Sequence, residues 1–171
     1  MGKHKHKKAD EERNEGGVQE DEVQEAKEAD TSQVESETTK PYEELVTLMA
    51  PIAKPLASKK LTRKLYKAVR KAQKAKRLKR GVREVVKGLR KDEKGVVILA
   101  GDVSPIDVIS HIPVFCEEKE VPYCYVPSRK DLGSAGGTKR PTSVVLIQTS
   151  DQYKDLYEEC HSAVDALPLP I

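Results

Sequence analysis

Tryptophan is absent from this 171-residue chain, and Phe115 is its single phenylalanine. Tyr66 and Tyr125 read as packing residues rather than stacking platforms. Cysteine is scarce too. Cys116, Cys124 and Cys160 are odd in number and widely spaced, which fits neither a disulfide framework nor a CxxC metal site and predicts a reducing compartment. Cys116 and Cys124 read as small buried apolar residues. No apolar run approaches the roughly 18 residues of a membrane span, and residues 1–8 are basic with no apolar stretch behind them. The expectation is neither secretion nor membrane insertion. Acidic residues are missing altogether between Lys54 and Arg83.

What is present is charge, unevenly placed. The formal net charge of +3 conceals a balance of −10 over residues 9–38, from twelve Asp/Glu and two Lys/Arg. Residues 54–94 carry eighteen Lys/Arg and three Asp/Glu, a balance of +15. A stretch so basic, with no acid between Lys54 and Arg83 to offset its self-repulsion, points to a polyanionic partner or a nucleolar-targeting role, with a merely solubilising lysine face as the alternative. Residues 1–40 hold almost no apolar side chain beyond Val18, Val23 and Val34. Such a segment buries too little surface to offset an ordering cost of roughly 1–2 kcal/mol per residue, and is expected to be a disordered acidic tail. Its tip, Lys3 to Lys8, could contact nucleic acid or a metal, or be simply solvated.

Residues 41–171 read as a second, globular unit. A short helix near Leu45 is interrupted by Pro51 and Pro55. Leu61, Leu65, Ala68, Ala72 and Ala75 then recur at steps of four and three, one buried helical stripe with Ser58 or Thr62 as its cap. Leu78 to Arg80 is a short link or a minimal strand. After Gly81, the apolar residues Val82, Val85, Val86 and Leu89 share one helical face. Val96 to Ala100 is a strand buried on both faces. Ser104-Pro105 reads as a helix cap with Pro in the first turn, and Ile112-Pro113 restarts a helix through Glu120. Pro122 to Val126 is a strand, Ser128 to Asp131 caps a short helix ending at Gly133, and Val144 to Ile147 is the last strand. A final helix, about Asp151 to Ala166, turns Tyr153, Leu156, Tyr157, Cys160 and Val164 inward. No two strands are joined by a hairpin turn. The expected fold is α/β, a three-layer α/β/α sandwich on a small mixed four-stranded sheet behind the acidic tail.

On a helical wheel, Arg83, Glu84 and Lys87 share the exposed face at the start of the helix that follows Gly81. Gly81 lets a backbone approach closely, and the unpaired N–H groups of a helix start attract phosphate. Arg83 and Lys87 can take phosphate or a guanine edge, and Glu84 can accept from base amino groups. Glu84 and Lys87 are equally readable as an ordinary surface pair worth a few tenths of a kcal/mol.

Several ordered motifs now coincide: Gly81-Val82-Arg83-Glu84-Val85-Val86-Lys87, Ala100-Gly101-Asp102-Val103-Ser104-Pro105-Ile106, His111 to Lys119, Val121 to Arg129 and Leu132-Gly133. Together they make residues 42–167 similar to the kink-turn-binding ribosomal-protein family. Pro51 to Ala57, Leu61 to Tyr66, Gly133 to Pro141 and Ala166 to Pro170 resemble the eukaryotic H/ACA branch of that family. The resemblance implies a non-catalytic RNA-binding subunit of the small nucleolar particles that guide pseudouridylation of ribosomal RNA, with a link to telomerase RNA particles. It implies an H/ACA guide RNA, a dyskerin-like pseudouridine synthase subunit and other H/ACA core proteins as partners, in the nucleus and nucleolus. It carries RNA contact onto Gly81, Glu84 and Lys87, onto Arg129, and onto the loop Thr138, Lys139 and Arg140. One position departs from the pattern: kink-turn binders usually have Asn where this chain has Arg83. Arg lacks an amide's paired donor and acceptor but adds a phosphate or base-edge contact, so binding is expected to be more electrostatic and less motif-selective. A kink-turn reader of ribosomal or spliceosomal particles is the alternative within the same class.

Enzyme readings fare worse. Gly133 to Lys139 lacks the GxxxxGK[ST] spacing of a phosphate loop, and Pro141 and a strand follow where a nucleotide site needs a helix. His111 and His161, the histidines outside the tail, have no nucleophile or partner carboxylate at an interpretable spacing. No catalytic residue, cofactor or metal is expected.

Overall fold

The computed structural model describes residues 41–168; the acidic segment expected to be disordered lies outside them, as do the last residues of the Ala166 to Pro170 motif. The chain opens with α1 (Tyr42–Thr47), whose Tyr42 hydroxyl donates to the Ala57 carbonyl at 2.6 Å and ties the two ends of the proline-broken arm together. Helix α2 (Lys59–Lys74) starts at Ser58, whose hydroxyl accepts from Leu61 N–H. Of the two candidate caps, Ser58 is the one used. The predicted stripe is buried at Leu61, Leu65, Ala68 and Ala72, and is broadened by Tyr66 and Val69.

Leu78–Arg80 is a true strand, β1, and Gly81 leads it directly into α3 (Val82–Arg90). Strand β2 (Val96–Ala100) is buried along its whole length. A 3-10 turn (Ile106–Val108), α4 (His111–Glu118), β3 (Tyr123–Val126), α5 (Arg129–Ala135) and β4 (Val144–Ile147) come next; a second 3-10 turn (Asp151–Tyr153) leads into α6 (Lys154–Asp165). The sheet order is β1-β4-β2-β3. β2 and β3 run parallel, whereas β4 is antiparallel to both β1 and β2. Helix α2 packs with α5 and α6 on one side of the sheet, and α3 with α4 on the other. The mixed sheet and its two helical layers are those the sequence predicts.

Three local expectations are corrected. Ser104 makes no cap bond: Pro105 itself, extended at φ −72° and ψ 156°, precedes a single 3-10 turn. Helix α4 ends at Glu118, because Glu120 takes φ 52° and breaks the helical path before β3. Helix α5 continues past Gly133 to Ala135. Gly133 is a contact glycine rather than a helix stop, since a Cβ there would lie 2.3 Å from the Arg140 carbonyl oxygen.

Helix α3, whose start carries the contacts expected from the sequence, is pinned from both ends. At its entry, Gly81 N–H donates to the Val144 carbonyl at 2.9 Å, continuing the β1–β4 pairing. Beyond its exit, Glu93 pairs with Lys79 of β1 and accepts from the Gln148 side chain at 2.6 Å.

Candidate nucleic-acid interface

Gly81 stands at φ +89° and ψ 153°, a region open in practice only to glycine, and nothing lies within 4 Å of where its Cβ would be. The glycine is demanded by the turn, and the space above it is open. From this turn α3 rises with Val85 and Leu89 buried beneath and Arg83, Glu84 and Lys87 exposed, as the wheel predicts. The Glu84 carboxylate turns back to accept the Arg80 N–H at 3.3 Å. It therefore closes the helix start in the manner of a capping box, one residue further out.

A groove of about 530 Å³ opens beside this turn. Arg80, Gly81, Val82 and Glu84 form one wall, and Thr138, Arg140, Thr142 and Ser143 form the other. The two walls belong to distant stretches of chain that meet because β1 pairs with β4, placing Arg80 opposite Val145. They are also tied directly: the Arg80 guanidinium donates to the Gly136 carbonyl at 2.8 Å. The opposite loop is organised turn by turn. Thr138 N–H donates to the Gly133 carbonyl at 3.1 Å, and the Thr138 hydroxyl accepts from Arg140 N–H at 3.2 Å.

Of the eight residues predicted from sequence, Gly81, Glu84, Thr138 and Arg140 line the groove together. Arg83 and Lys87 are exposed on the outer face of α3, and Lys139 is exposed on the loop. Arg129 opens α5. Its N–H donates to Asp102 Oδ1 at 2.8 Å, its Nε lies 3.9 Å from Oδ2 of the same carboxylate, and its carbonyl accepts from Thr142 N–H at 3.0 Å. Arg129 thus adjoins the groove through Thr142 and is oriented by Asp102.

Arg80, Asp102, Thr142 and Ser143 are contributors the sequence reading missed. Nothing local marks them, since each acquires its place from strand pairing or from a contact 13 or more residues away in the chain.

The arrangement supplies cations at Arg80 and Arg140, a single carboxylate at Glu84, and the N–H groups of the first turn of α3, which have no acceptor within the helix. Phosphate oxygens and base edges suit that set; a simple anion site would exclude the carboxylate. None of the three thiols lines this groove. All three are buried, and burial, with a nearby glutamate, pushes Cys116 up to about 12 and Cys160 up to about 11.

Comparison with known proteins bears on the family and the fold. Residues 63–157 match the pattern of the ribosomal protein L7Ae/L30e/S12e/Gadd45 family. The chain is 53% identical over 145 residues to an H/ACA ribonucleoprotein complex subunit 2-like protein of Xenopus tropicalis, covering 85% of this chain and 97% of that one. It is 51% identical over 130 residues to the H/ACA ribonucleoprotein complex subunit 2 of Bos taurus, covering 76% and 85% respectively. Among solved structures, the Giardia lamblia 15.5kD RNA binding protein superposes with a TM-score of 0.67 at 32% identity, over 70% of this chain and all of that one. Sequence pattern, identity across most of its length and fold agree: the chain belongs to the L7Ae/L30e/S12e/Gadd45 family, in the group named H/ACA ribonucleoprotein complex subunit 2.

Proposed function

We propose that this chain is an RNA-binding, non-catalytic subunit of the H/ACA small nucleolar ribonucleoprotein, and that it grips the folded upper stem of a guide RNA in the groove beside Gly81. The observation that carries the site is the meeting of the α3 start with the Thr138–Arg140 loop across one groove, tied by Arg80 to Gly136. Relatives named for the H/ACA particle, and a structural neighbour named as an RNA-binding protein, support the reading.

In this reading Arg140, Lys139, Arg83 and Lys87 take phosphates, Glu84 accepts from a base amino group, and Gly81 lets the polynucleotide backbone approach the helix start. Arg129, held by Asp102, extends the cationic track. A dyskerin-like pseudouridine synthase subunit performs the chemistry in the nucleolus, and this chain positions the guide RNA for it. The exposed cations of α2 add sequence-independent attraction. Arg83, in place of the usual amide, shifts the balance from base reading toward charge.

The test compares affinity for a kink-turn and for a matched plain stem-loop across a salt series. The account expects a small kink-turn preference and a steep salt dependence for both RNAs. A large preference that survives high salt would favour a strict kink-turn reader instead.

A further inference from the structure

We infer that a second groove, at the opposite end of the sheet, docks a basic segment of a partner protein that carries an apolar anchor. This inference goes beyond the RNA site and does not depend on it. The first groove gathers the end of β1 and the start of β4; the second lies at the start of β3, between the last turns of α4 and α6.

Its volume is about 420 Å³, and its apolar lining comes from Val121, Tyr123, Val164 and Leu167. Glu117, Glu120 and Asp165 supply its charge, and among the described residues no Lys or Arg contributes to its lining. Lys119 lies between two of these acids in sequence but turns away to pair with Asp92 at 2.6 Å. Glu117 is held in place by the Tyr123 hydroxyl, which donates to it at 2.9 Å. Helices α4 and α6 both end beside the groove, so the partial negative charge of two sets of terminal carbonyls adds to the three carboxylates.

This field is opposite in sign to that of residues 54–94, and it repels phosphate. An apolar surface inside an acidic rim suits a Leu or Ile side chain flanked by Lys or Arg, whose methylene stems lie on the apolar surface while their heads meet the carboxylates. A protein segment of that kind can be held while RNA occupies the far end of the molecule.

The probe is an acetylated, amidated Lys-Leu-Lys-Arg-Leu-Lys peptide, titrated at physiological salt into the isotope-labelled full chain. Amide shifts are expected at residues 116–123 and 164–167. Glu120→Lys with Asp165→Lys should weaken the peptide about tenfold while leaving guide-RNA affinity within about twofold of wild type. Glu120→Gln with Asp165→Asn, which removes charge with little change of shape, should weaken it by a smaller factor in the same direction. Removing residues 169–171 should change nothing. Shifts confined to residues 9–38, equal affinity in the charge variants, or equal binding by a peptide with Glu in place of Lys and Arg would overturn the inference. Binding that appears only after residues 169–171 are removed would also overturn it, by showing that the chain's own end fills the groove.

Discussion

The guanidinium of Arg80 donates to the carbonyl of Gly136 at 2.8 Å, so the last residue of β1 holds the far wall of the proposed RNA groove against the start of α3. Arg80→Ala should release that wall. Guide-RNA affinity is expected to fall severalfold, chiefly through faster dissociation, and amide exchange at residues 136–140 to rise. Arg80→Lys keeps the charge but not the planar fork and should fall between the two. Surface plasmon resonance and hydrogen exchange on the three proteins check this; equal exchange in wild type and Arg80→Ala would contradict the tether.

Gly81→Ala isolates the backbone term. At φ +89° an alanine is strained although its Cβ would meet nothing, so the cost is conformational, about 1–3 kcal/mol. Thermal melting should drop by several degrees, and RNA affinity should fall with it. An unchanged melting temperature would show that the turn tolerates an L side chain.

How much of this was legible beforehand varies by element. Helix α2 and strand β2 declare themselves, because a stripe from Leu61 to Ala72 and an unbroken β-branched run have few other readings. The start of α3 was legible because Gly81 and an amphipathic wheel fix where it begins and which side chains face outward. The groove itself was not. Its two walls, Arg80 to Glu84 and Thr138 to Ser143, lie more than fifty residues apart and become neighbours only through antiparallel β1–β4 pairing, which no local pattern encodes. Gly133 shows the same limit at one residue. It reads as a helix end, yet it is there because the Arg140 carbonyl passes too close for a Cβ.

Glu84 and Lys87 separate selectivity from charge. Lys87→Ala should weaken all RNAs alike and lower the slope of log affinity against log salt by about 1. Glu84→Ala should change the ranking among RNAs, and through its 3.3 Å bond to Arg80 N–H cost about 0.5 kcal/mol of stability. The double variant should bind guide RNA severalfold more weakly with a near-native circular dichroism spectrum. Unchanged RNA binding would remove both residues from the interface.

Stability should fall in alkali. Burial, reinforced by Glu117, raises the Cys116 thiol from its ordinary 9.0 to about 12; burial and Glu159, opposed by Lys64, raise Cys160 to about 11. Burial, helped by Cys116, raises Tyr125 from 10.0 to about 12. Above about pH 9 the unfolded chain releases these protons while the folded chain keeps them, so the stability they contribute is complete below that pH and is lost progressively toward pH 12. Urea unfolding at neutral pH and near pH 10.5 should show the midpoint falling, less steeply in Cys116→Ala. A midpoint independent of pH over that range would contradict the burial of these groups.

Ultraviolet crosslinking of the purified full chain to an H/ACA guide RNA, with the attached peptides identified by mass spectrometry, tests the central claim most directly. The account predicts crosslinks in residues 80–87 and 129–143, from both walls of one groove. Crosslinks confined to the lysine face of α2, or no retained RNA, would contradict it.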